Sequence, residues 1–201
     1  MDADRPKKPG GRVMADHVRA RKRNMDYKKR FLTYELGLLS LKAALSTRDD
    51  AFPIYHSGRK LHQRTEAKKA FRELLTEVER RYDAQITEAD HIEFIENAAN
   101  DLSKKLKNDL HNGRFRIGVT QKLINLHLKY LWTAGLCPEP PHCPIDGIIR
   151  DEAGIHYNWT QSDCIKEYED AVHTLKAVAS KLGKTLSQWE LEVFRRREDK
   201  L

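Results

Sequence analysis

Apolar residues recur at three- and four-residue steps along most of the chain, the spacing of one buried face per helix. Phe31, Tyr34, Leu38, Leu41 and Leu45 predict a first helix from about Tyr27, with those five side chains facing a core. Pro53 and Gly58 mark a loop after it. Phe71, Leu74, Leu75 and Val78 predict a second helix over about 64–83, with Lys68, Lys69, Arg72, Arg80 and Arg81 outward. Thr87-x-x-Asp90 has the form of a capping box and opens a third helix, about 88–110, carrying Ile92, Ile95, Ala99, Leu102, Leu106 and Leu110. His111-Asn112-Gly113 stops it, Asn and Gly being suited to left-handed backbone. A fourth helix follows over about 118–134, then a proline-rich loop and a short helix near 146–152. Thr160-x-x-Asp163 and Thr185-x-x-Gln188 are read as the openings of two more, reaching about Leu182 and Arg197. No alternating run of useful length predicts a strand. The expected fold is all-α: a single compact domain of six or seven helices over 25–201, preceded by a basic arm over 1–24.

Arg5, Lys7, Lys8, Arg12, Arg19, Arg21, Lys22 and Arg23 crowd that arm, and Pro6, Pro9, Gly10 and Gly11 break any early helix. Such arms either lie on phosphate backbones or remain solvated tails. The 201-residue chain is 33% charged and 39% hydrophobic, with net charge +7. No apolar run approaches the roughly 18 residues of a membrane span, so no membrane association is expected. No apolar stretch follows the basic N-terminus, so no secretory signal is expected. Cys137, Cys143 and Cys164 form an odd, irregular set, which points to a reducing cytoplasm rather than a disulfide scaffold. Cys137, His142 and Cys143 lack the paired spacing of a zinc site, and neither metal nor cofactor is expected.

The segment GRFRIGVTQKLINLHLKYLWTAG stands apart from its neighbours. Apolar residues occupy most of its circumference, as in a buried central helix. One narrow polar stripe remains, Lys122, Asn125 and Lys129, and it requires a partner, a cleft or a ligand. A lysine desolvated in a cleft loses proton affinity and gains nucleophilicity. Asp146, after Pro144 and Ile145, sits where a helix N-cap belongs. Facing Lys122 across the turn, it would complete an acid/base pair.

Gly118-Val119-Thr120-Gln121-Lys122 and Pro144-Ile145-Asp146 together resemble the centre of the helix-hairpin-helix DNA glycosylase superfamily. The resemblance covers about residues 113–150. It implies a hairpin turn at Gly118, Val119 and Thr120 that grips a DNA phosphate, with Gln121, Asn125, Lys129, Arg114 and Arg116 as further DNA contacts. It implies Lys122 as the nucleophile at the sugar C1′ and Asp146 as the carboxylate that stabilises positive charge there. The target base would be flipped out of the duplex and stacked on an aromatic side chain. Trp132, Tyr130 and Trp159, with Tyr157, are the candidates. The function so implied is a base-excision DNA glycosylase, with lyase activity, acting on a damaged or modified base in double-stranded DNA. The alternative is a non-catalytic nucleic-acid-binding helical module. Composition alone fits a third reading, a helical adaptor for a protein partner.

Overall fold

The computed structural model describes residues 11–46, 49–57 and 61–194. It is all-helical. Among the described residues seven α-helices follow in order: α1 Gly11–Leu45, α2 Leu61–Arg81, α3 Glu88–Lys105, α4 Ile117–Thr133, α5 Gly147–Ala153, α6 Ile165–Lys181 and α7 Leu186–Val193. A 3₁₀ turn covers His111–Gly113. An isolated antiparallel bridge joins Tyr55 and Leu110, and no strand forms among the described residues. No helix among them is long and apolar enough to cross a membrane.

The chain separates into two units, Met1–Glu35 and Leu36–Leu201, with the division inside α1. Residues 11–24, expected as an irregular arm, are helical. The two prolines of the expected arm, Pro6 and Pro9, both precede Gly11, and the Arg-, Lys-, Met- and Ala-rich stretch beyond it favours helix. Residues 1–10 and Arg195–Arg197 lie outside the described residues.

The first helix corrects the expected packing face. Phe31, Tyr34 and Leu38, expected in the core, are exposed, whereas Gly37, Ser40 and Ala44 are buried. Small residues let the α1 backbone approach its neighbours within the second unit. A Cβ built on Gly37 would stand 3.2 Å from Leu75 Cδ1, and the Ser40 hydroxyl lies 3.3 Å from His127 Nδ1.

At the centre of the second unit is α4, which packs against α2, α3 and α6. It is buried from Ile117 to Asn125 and again at His127, Leu128, Lys129 and Leu131, as its nearly uniform apolar surface requires. Phe71 of α2 and Phe115 meet beneath it with ring centroids 5.2 Å apart. Three helix starts show how local sequence and distant chain divide the capping work. Thr185 and Gln188 form a reciprocal capping box at α7. Thr87 accepts from the Asp90 amide at α3, while its own hydroxyl donates to the Asp90 carboxylate. Thr160 and Asp163 do not open α6, which begins at Ile165 behind Cys164. The Thr160 hydroxyl is bonded to Asn158 and Asp49, and Asp163 serves α4 instead.

Candidate functional site

The N-terminus of α4 would have to bind the phosphate under the glycosylase resemblance, and its amide donors are occupied. Arg116, the N-cap residue, supplies no side-chain cap. The Ile117 amide donates to Asp163 Oδ1 at 3.1 Å and the Gly118 amide to the Ser162 carbonyl at 2.9 Å. Val119 and Thr120 donate to the Arg116 carbonyl. A Cβ on Gly118 would stand 2.1 Å from the Trp159 carbonyl oxygen, so glycine is required because the 157–162 segment lies directly on the helix. Gly118, Val119 and Thr120 therefore form the buried first turn of α4, not an exposed hairpin turn.

The other expected DNA contacts also have partners within the chain. Arg114 binds Asp163 through Nε and donates from Nη1 to Asn100 and Ser103. Buried Arg116 donates to the carbonyls of Thr160, Phe52 and Pro53, fixing two loops to the start of α4. Gln121 donates from Nε2 to the Ile145 carbonyl at 2.7 Å and accepts the Ile145 amide through Oε1, clamping the proline-rich loop. Asn125 donates to the Tyr168 hydroxyl. Lys129 Nζ lies 2.8 Å from Glu190 Oε1 and 4.2 Å from the Phe194 ring centroid, in a buried ion pair. These contacts pair most of the polar groups that these side chains bring into the core, Asn125 Oδ1 being the exception.

The expected Lys122–Asp146 constellation is brought together. Asp146 caps α5 through Oδ1, which accepts the amides of Ile148 and Ile149. Its Oδ2 lies 4.0 Å from Lys122 Nζ. Trp159 contributes the third side, with Nζ 3.8 Å from its ring centroid. Lys122 is only 9% exposed. Burial pulls its pKa below the ordinary lysine value, and the Asp146 carboxylate opposes that shift. The ammonium is thus held between a capping carboxylate and an indole face. Of the proposed stacking residues only Trp159 is beside this lysine. Tyr130 and Trp132, on α4 itself, are half-buried and eight and ten residues further along, about 12–15 Å of helix.

A second buried polar group was not read from the sequence. Asn125 donates to Tyr168, whose hydroxyl is 2.7 Å from His142 Nδ1, and His142 Nε2 is 3.0 Å from Glu88 Oε1. The carboxylate accepts, so Nε2 carries the proton and the Tyr168 hydroxyl donates to Nδ1. Burial lowers the His142 pKa to about 4 against the opposing pull of Glu88. His91 stacks edge-on to His142 at 4.7 Å and shares a hydrogen bond with Tyr82. Its pKa is likewise pushed well down by burial, then by His142. The sequence signal was weak: His91 falls between Asp90 and Ile92 at the edge of the apolar row of α3.

Cys143 is fully buried, Cys137 is half-buried with its thiol toward the Leu128 carbonyl, and His142 is engaged as above. No group of three or more His, Cys, Asp or Glu side chains is arranged to hold a metal ion among the described residues. No protein-family model matches the chain, no curated protein matches it in sequence, and no solved structure matches it in fold.

Proposed function

We propose that this chain is a non-catalytic nucleic-acid-binding helical module that holds the phosphate backbone with its basic N-terminal segment. The observation that carries the reading is charge segregation. Residues 1–30 contain 11 Lys and Arg against 4 Asp and Glu, a net +7 equal to that of the whole chain. Residues 31–201 contain 26 of each and are neutral. Lys28, Lys29 and Arg30 are exposed on α1. On α2, by contrast, Lys68 and Lys69 are interleaved with Glu66, Glu73 and Glu77. A basic segment on a neutral body concentrates its field where a polyanion would bind.

The test is anisotropy of labelled duplex and single-stranded DNA and RNA across a salt series. With six or more phosphates neutralised, affinity falls by about three orders of magnitude between roughly 50 and 200 mM salt. The triple variant Lys28→Glu, Lys29→Glu, Arg30→Glu flattens the log–log slope by about three. Binding that ignores salt, or a variant that binds as tightly as the parent, overturns the reading.

The enzymatic reading, a glycosylase with lyase activity, rests on the desolvated Lys122 beside Asp146 and Trp159. Borohydride trapping on duplexes with damaged or modified bases tests it. A covalent adduct lost in Lys122→Ala supports it, and no adduct or base release leaves Lys122 a buried structural cation.

A further inference from the structure

One line of buried polar groups runs through the second unit with its hydrogens all pointing one way. Tyr82, buried and kept protonated by that burial, donates to His91 Nδ1, so His91 Nε2 keeps its hydrogen. Burial and then His142 push the His91 pKa down, and Asn125 opposes them without completing a close bond at His91 Nε2 or Asn125 Oδ1. Asn125 Nδ2 donates to the Tyr168 hydroxyl, Tyr168 to His142 Nδ1, and His142 Nε2 to Glu88 at the surface. Gln121 locks the direction. Ile145 engages both ends of its amide, and its Oε1 also accepts from Asn125 Nδ2. Turning the Asn125 amide over would set Oδ1 against Gln121 Oε1 and Nδ2 against the His91 N–H. The line therefore cannot reverse, and a proton added at His142 Nδ1 leaves the buried Tyr168 hydrogen without an acceptor.

His142 is carried on the proline-rich loop. On one side Glu139 is clamped by Gln85, Thr185 and Gln188, and on the other Ile145 is clamped by Gln121. Between the clamps, Pro140, Pro141 and Pro144 leave the backbone few conformations, so residues 140–144 move as one stiff piece. Ser187, which donates to the Pro140 carbonyl, and the His142 ring hold that piece down. We infer that residues 140–144 are an acid-operated strap: a proton taken up by His142 frees them from α3 and α6 while the helices stay folded.

The surroundings act against a charged ring. Arg81 and Tyr82 face His91 from the end of α2, and Asp90 acts on Tyr82. Glu88 on α3 and Lys176 and Tyr168 on α6 face His142, while α4 presents only the uncharged Asn125 to this line. Lys176 Nζ lies 2.5 Å from Glu88 Oε2, so the carboxylate beside His142 already has a counter-ion. With a pKa of about 4 under the closed strap and an ordinary value near 6.5 once open, the ring shifts the balance toward the open strap by about 300-fold in all, about tenfold per pH unit.

Cys143, fully buried and next to His142, reports the opening, and it needs no nucleic acid to do so. In the full chain carrying Cys137→Ser and Cys164→Ser it is the sole thiol. Its labelling by dithiodipyridine, divided at each pH by the rate in the urea-unfolded chain, is expected to rise about tenfold per unit as pH falls from about 6.5 to about 4, with helical circular dichroism unchanged. His142→Gln keeps an acceptor for Tyr168 and a donor for Glu88 but takes up no proton, and its labelling stays flat across that window. Nitrogen NMR of the parent at neutral pH is expected to place the hydrogen on Nε2 of both His91 and His142. Labelling of the parent that ignores pH overturns the inference, as does labelling that rises only together with loss of helix. An acid rise that persists in His142→Gln, or a His142 hydrogen found on Nδ1, overturns it equally.

Discussion

Lys129→Met removes one half of the buried pair between α4 and α7 and leaves Glu190 facing apolar neighbours. At 2.8 Å the pair attracts by about 6 kcal/mol with an effective dielectric near 20. Desolvation of each ion opposes this by several kcal/mol. Burial raises the Glu190 pKa despite the adjacent ammonium, so desolvation outweighs the attraction at this carboxylate. The intact pair is therefore near break-even, whereas a widowed charge is not. Each single variant, Lys129→Met or Glu190→Gln, is expected to lose about 3–5 kcal/mol. The double variant Lys129→Met, Glu190→Leu is expected within about 1 kcal/mol of the parent, or above it. Urea unfolding followed by circular dichroism reads this directly, the single variants lowering the midpoint by roughly 1.5 M. If Lys129→Met cost under about 1 kcal/mol and weakened DNA binding instead, Lys129 would be a surface cation and the buried-pair account would be wrong.

Three further outcomes are expected. Gly118→Ala forces a methyl against the Trp159 carbonyl and costs about 2–3 kcal/mol, visible as a lowered thermal midpoint; a neutral result would mean that the 157–162 segment does not lie on α4. Asp163→Ala removes the acceptor of the Ile117 amide and the ion pair of Arg114, which keeps Asn100 and Ser103, costing about 1–2 kcal/mol, and hydrogen exchange should quicken at the start of α4 rather than of α6. In acid, His91 and His142 stay neutral in the fold while the unfolded chain protonates near pH 6.5. Their contribution to stability is full above that pH and is lost as pH falls toward about 4, with a slope reaching about 2.7 kcal/mol per pH unit. A flat stability profile over that window would contradict the burial of the two rings.

The helices themselves were legible in the sequence, because apolar period and capping residues act over a few positions. The N-caps Thr87, Asp146 and Thr185 stand where the sequence placed them. What failed was choice between faces and between partners. In α1 the row of large residues and the row of small ones share a period, and the small row is the buried one because it admits closer backbone approach. The polar stripe of α4 did require partners, and each is distant in sequence: Asp146 for Lys122, Tyr168 for Asn125, Glu190 for Lys129. Lys122 and Asp146 were paired in advance on the order of residues that the glycosylase resemblance supplied, not on any local period. Asp163 was read as the local cap of its own helix, yet its carboxylate caps a helix that begins 46 residues earlier.

That last contact has a consequence for synthesis. When α4 leaves the ribosome, the amide of Ile117 has no acceptor in the chain already made. It gains one only after Asp163 emerges, 46 residues later, some seconds at ordinary elongation rates of about 5–20 residues per second. The central helix of the molecule is thus completed late. A nascent chain that stalls before residue 163 already holds α2 and α3 but lacks this cap and α6, so the side of α4 that α6 covers stays open to chaperones.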